Sequence, residues 1–231
     1  MSKFFVGLAL LSAGVLSLKA QDLVPESRKP KKPIICYALQ GDQHTLVDAP
    51  AHYREMKKNG TARTKAAVFE VEYIGFSPAA QTAFQEAVDI WESLITSPVK
   101  IRVRAEWQPL GTGVLGSAIW GSVFRNFQGA QRANTWYPVA LAEKIAGKDL
   151  NASTDPDIFA NFNSEFNWYL GTDGSPSSGQ YDFVTVVMHE LGHGLGFVDS
   201  YSVQGDLGVV GIQDTGFPII YDQQLENGQD Q

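Results

Sequence analysis

Between residues 66 and 110 the period of the apolar positions changes twice, and each change predicts a new element. Ala67-Val68-Phe69-Glu70-Val71-Glu72-Tyr73-Ile74 alternates in part, as a half-buried strand does. Ser77 and Pro78 then suit an N-cap and a first helical position, and Ala80, Phe84, Ala87, Val88, Trp91 and Ile95 recur at helical spacing. Val99 to Trp107 returns to clean alternation and reads as a second strand. A parallel strand pair joined by a long helix, with a right-handed crossover, is the expected unit. Tyr137 to Gly147 reads as a short helix and Ile158 to Asn163 as a strand. Gly111 to Gly129, rich in glycine and aromatics, and Ser200 to Gly216 carry no strong period, and the latter reads as a surface loop or the start of an insertion.

The last helical pattern differs from the first because its polar side carries chemistry. Val184, Val187, Met188, Leu191 and Leu195 form an apolar stripe, and Asp182 suits the positive N-terminal end. His189 and His193 lie on the opposite side, roughly 40° apart and about 6 Å along the axis, so both reach one metal ion. A His-Glu-x-x-His string on an arbitrary helix is often only a solvated face, but here an apolar stripe opposes the histidines. Glu190 stands beside the metal face, where it would hold a zinc-bound water as general base without being a ligand. Gly196 ends the helix in a left-handed turn that brings the chain back toward the metal. Asp199 then offers an oxygen as a third zinc ligand, leaving the fourth position open for water. Gly192 and Gly194 are costly inside a helix, which points to close packing.

On these residues the chain resembles the zincin metallopeptidases, and His189-Glu190-Leu191-Gly192-His193-Gly194-Leu195-Gly196-Phe197-Val198-Asp199 resembles the metzincin pattern with Asp as third ligand. The match is specific and short, covering Asp182 to Asp199, and Asp157 to Asn163 resembles the strand that precedes the active-site helix in secreted bacterial zincins. The resemblance implies an α+β zincin-like catalytic domain. Its parts would be a twisted mixed sheet, a long backing helix and an active-site helix. It also implies Zn2+ on His189, His193 and Asp199, with Glu190 catalytic and proteins or peptides as substrates. There are two departures. The methionines are Met1, Met56 and Met188, so no Met-turn forms beneath the metal, and no histidine follows His193. Either Asp199 is the third ligand or that ligand lies outside this chain. The tail from Phe217 is short for the lower half of a metzincin, so a short or truncated C-terminal subdomain is expected. Glu226 as a distant ligand is disfavoured by Asn227-Gly228, which would break the helix it needs. Tyr201 and Tyr221 are both available to support an oxyanion.

Targeting and charge narrow the setting. Lys3, the apolar run Phe4 to Leu18 and the cleavage-like Leu18-Lys19-Ala20 read as a signal peptide over residues 1–20, too short for a membrane span. Secretion, extracellular or periplasmic, is expected. Loss of Lys3 and Lys19 takes the formal charge from -7 to -9, which disfavours nucleic acid as a partner. Residues 21–65 read as an N-terminal extension or propeptide, whose charged, proline-broken opening should be extended and solvated. Residues 66–231 form one catalytic domain, expected to be a monomer. Cys36 is the only cysteine, so no internal disulfide forms. It has two readings: the commoner one, a buried apolar side chain, and a fourth ligand that blocks the water position in a latent precursor. A rival for the whole chain is a catalytically inactive or truncated zincin-like surface or binding protein.

Overall fold

A computed structural model describes residues 25–30, 32–38, 46–60, 66–205, 207–212 and 215–226; the signal segment lies outside these. Among them the chain is α+β, with two long helices against a five-stranded sheet. The predicted first unit forms from β3 (Phe69–Ile74), α2 (Pro78–Leu94) and β4 (Ile101–Gln108), the two strands pairing parallel from Phe69↔Ile101 to Ile74↔Glu106. Ser77 Oγ accepts the Ala80 amide at 3.2 Å, the cap its position suggested.

The sheet is completed by β8 (Ile158–Asn163), parallel to β4, by β5 (Val114–Trp120), antiparallel to β8, and by β2 (Ile34–Tyr37), antiparallel to β5. Its two faces follow the alternation in the sequence. Ile101, Val103 and Ala105 are buried against the helices. Arg102 turns to the other side, between Glu70 and Asp149, and Arg104 there meets Glu106 at 3.0 Å. The helical face holds the main core, in which Phe84, Phe162 and Phe183 are fully buried and meet edge to face at 5.2–5.7 Å. α4 (Phe183–Leu195) lies on this face and touches α2, β5 and β8.

The glycine-rich stretch without a period supplies β5 and β6 (Val123–Arg125), and α3 (Val139–Ala146) follows β7 (Tyr137–Pro138). Glu143 on α3 is buried, and its Oε1 accepts the amides of Leu150 (2.9 Å) and Asn151 (3.3 Å), bracing the loop that leads into β8. Burial raises its carboxyl from 4.5 to about 7, with the neighbouring Asp157 adding to the rise and the two amides opposing it. The protonated form is therefore favoured by folding. The stability it contributes is complete below the unfolded value and is lost as pH rises through about 7. Asp157, also raised chiefly by burial, slopes in the same direction. Thermal unfolding midpoints of the wild type should fall from pH 5 to pH 8, and Glu143→Gln should flatten that fall; an unchanged slope would refute the assignment.

Two segments depart from expectation. The opening of the extension is not simply solvated, because β1 (Glu26–Arg28) pairs antiparallel with β6 and β2 with β5, and α1 (Ala51–Asn59) buries Tyr53 in the main core. An unpaired sheet edge exposes a row of backbone donors and acceptors, and short strands from the same chain satisfy it. Residues 201–210, read as a loop, contain a hairpin of β11 (Tyr201–Gln204) and β12 (Leu207–Val210). The tail is packed as well. Ile219 is fully buried with Trp136, and the Asp222 carboxylate accepts the Ser200 amide at 2.8 Å and the Ile219 amide at 2.9 Å.

Candidate metal centre

α4 is held at both ends and along its length. Asp182 Oδ2 accepts the Thr185 amide at 2.8 Å, Trp91 of α2 donates its indole N–H to the Met188 carbonyl at 3.1 Å, and Gly196 closes the helix at φ 114°. A β-carbon on Gly196 would come 2.7 Å from Pro138 Cγ, so both the backbone angle and α3's lead-in demand glycine. Gly194 packs against β8 as expected: a β-carbon there would overlap the Ile158 Cγ2 methyl and stand 2.9 Å from Cδ1. Gly192 has ordinary room beside Trp91, so close packing does not explain it. Gly194→Ala should cost about 1–3 kcal/mol through overpacking, more than the roughly 1 kcal/mol gained in helix propensity. Chemical denaturation checks it, and a neutral or stabilised variant would refute the tight contact.

With the helix fixed, the Nε2 atoms of His189 and His193 converge to 3.0 Å, the rings standing at 84°. His193 Nδ1 lies 3.0 Å from the Phe197 carbonyl. A carbonyl only accepts, so Nδ1 carries the proton, and Nε2 is the nitrogen turned toward a metal. Burial, with the charge of His193, lowers the His189 pKa and favours the neutral imidazole that a metal requires.

The third member of the group comes from the N-terminal extension. Cys36 Sγ stands 3.6 Å from His193 Nε2, and the ligand atoms of Cys36, His189 and His193 all lie within 4.8 Å of one another. Tetrahedral zinc, with bonds of about 2.0–2.1 Å to nitrogen and about 2.3 Å to sulfur, separates two nitrogens by about 3.3 Å and nitrogen from sulfur by about 3.5 Å. The donor types, and the two separations of 3.0 Å and 3.6 Å at His193 Nε2, fit that ion. Cys36 is thus half-buried beside the histidines rather than a core side chain. Without a metal its thiol is pushed well up, first by burial and then by the charge of Glu190.

Glu190 is fully buried, and neither carboxylate oxygen has a well-formed hydrogen bond. Burial raises its pKa to about 7, the nearby Cys36 thiol acting weakly in the other direction. An unsatisfied buried carboxylate is expensive, which makes Glu190 a candidate functional group. The residue that allows it this place is Gly116 on β5. A β-carbon at 116 would meet Glu190 Cγ and Oε1 at 3.3 Å and the Asn161 carbonyl at 3.0 Å, and Gly116 is also the register partner of Cys36. Gly116 was missed in the sequence, although an isolated glycine inside a strand is the ordinary signal of close backbone approach.

Asp199 lies outside the cysteine–histidine group. It is exposed, and its Oδ1 accepts the Tyr201 amide at 2.9 Å. Tyr201 is 55% exposed, whereas Tyr221 packs on Phe197 with ring centres 5.9 Å apart. Glu226 is exposed and is not a member of the group either.

A family model described as SPBPB7E8-like matches residues 128–210, which include all of α4 and leave Cys36 outside. The Uncharacterized protein PB7E8.01 of Schizosaccharomyces pombe is 33% identical over 70 residues. That stretch is 30% of this chain and 12% of that protein, so the match covers a small part of its relative's length. No solved structure matches.

Proposed function

We propose that the chain is a secreted zinc-dependent metalloendopeptidase in a latent form. The observation that carries this reading is the convergence of His189 and His193 Nε2 beside a fully buried glutamate whose carboxylate has no well-formed hydrogen bond. The pattern's resemblance to metzincins and the mixed sheet with β5 passing over Glu190 support it. His189 and His193 would hold zinc through Nε2, Cys36 would complete the latent ligand set, and Asp199 would approach when the thiol leaves. Bound zinc supplies Lewis-acid polarisation of the scissile carbonyl and a lowered pKa for water. Glu190, with a pKa near neutrality, accepts the proton of the attacking water and passes it to the departing amine. The substrates are proteins or peptides, and the negative charge of the chain disfavours nucleic acid.

A second reading is favoured by one observation, that Asp199 is not a member of the group. A zinc held by two histidines and a cysteine, with no hydrolysis, would make the chain a zincin-like binding protein. Casein hydrolysis by the purified chain after proteolytic release of residues 21–65, with and without a zinc chelator, separates the two. Chelator-sensitive cleavage supports the peptidase, and zinc-loaded but inert protein supports the binding module.

A further inference from the structure

The extension is anchored at a second place, Glu26, ten residues before Cys36. Residues Glu26–Arg28 and Ile34–Tyr37 follow β6 and then β5, antiparallel throughout, with Glu26 opposite Arg125 and Cys36 opposite Gly116. Arg125 is an unusual cation. Its side chain is only 12% exposed, its guanidinium lies 4.0 Å from the Phe217 ring centre and 5.0 Å from that of Trp136, and Nη2 donates to Glu26 Oε1 at 2.6 Å. Nε and Nη1 are buried and without a hydrogen-bond partner. A guanidinium fork accommodates a carboxylate on two N–H groups, and aromatic walls hold it in place at little solvation cost. Arg28, two residues on and so on the same side of β1, lies 5.8 Å over Trp136.

We infer that Arg125 is a carboxylate-binding subsite for extended peptides laid along β6 and β5, occupied here by the chain's own Glu26. Resting on the peptidase reading, the inference gives the substrate class: an extended peptide with an acidic residue ten positions before the residue opposite Gly116. A cationic residue two positions after the acid would add a contact on Trp136. The site is built for a peptide rather than a free anion, because backbone pairing with β6 sets the reach of the carboxylate.

The test uses the full chain carrying Glu26→Gln and Cys36→Ser, in which both anchors of the extension are removed. A peptide copying residues 24–38 with Cys36→Ser is titrated against it by calorimetry, beside the same peptide with Glu26→Gln. The Glu26 peptide should bind at least about tenfold more tightly, in the range expected for a charged hydrogen-bonded pair, and Arg125→Gln in the chain should erase the difference. Amide exchange at Val123, opposite Arg28 of β1, should rise when the Glu26 carboxylate is lost. Equal binding of the two peptides, no binding of either, or unchanged protection of the strand overturns the inference. If Arg125→Gln does not fold, the comparison of the two peptides on the Arg125 chain still decides. None of these readouts needs zinc or turnover, so a chain that fails to hydrolyse casein leaves this result interpretable.

Discussion

Glu190→Gln is expected to keep its zinc and lose peptide hydrolysis by about 10²–10⁴-fold, the contribution usual for a positioned general base. The substitution keeps the side chain's shape under Gly116, where a β-carbon would come within 3.3 Å of it. It removes the group that can accept a proton. Because burial already favours the neutral carboxyl, the amide should not destabilise the fold. The comparison belongs in a chain freed of its extension, with metal content measured on the same sample. Loss of zinc together with activity would reassign Glu190 to the support of the metal site, and retained activity would remove it from the mechanism.

Cys36→Ser is expected to act in the opposite direction. In the full chain the thiol stands 3.6 Å from His193 Nε2, where a substrate carbonyl or attacking water would need to be. Serine is nearly isosteric but a poor zinc ligand, so β2 should remain paired while the metal position opens. Casein cleavage by the uncut chain should rise at least about tenfold, corresponding to roughly 1.4 kcal/mol of lost inhibition. An uncut Cys36→Ser chain as silent as the wild type, with zinc content unchanged, would refute the latent ligand. Blocking of the β5 edge by the remaining strand would then be the stronger restraint, testable by cutting after residue 65.

Most of what positions α4 was legible along the chain. Long elements announce themselves by period, which is why β3, α2, β4 and β8 lie where alternation and helical spacing place them. The caps at Ser77, Asp182 and Gly196 are local chemistry and could be read locally. β1 and β2 could not, because three or four residues are too few to show a period and their pairing is decided by the open edge of β5 and β6. For the same reason Cys36 was ambiguous: its neighbour His193 is 157 residues away. The histidine pair was legible because one helical turn fixes it, whereas the position of Asp199 depends on the turn after Gly196. There its carboxylate accepts the Tyr201 amide at 2.9 Å.

The measurement that bears most directly on this account is zinc per chain, by mass spectrometry of the purified, uncut chain, for wild type and for His189→Ala with His193→Ala. The account predicts one zinc in the wild type and none in the double variant, with both chains folded. A wild type without zinc, or a double variant that retains it, would contradict the metal centre and the function built on it.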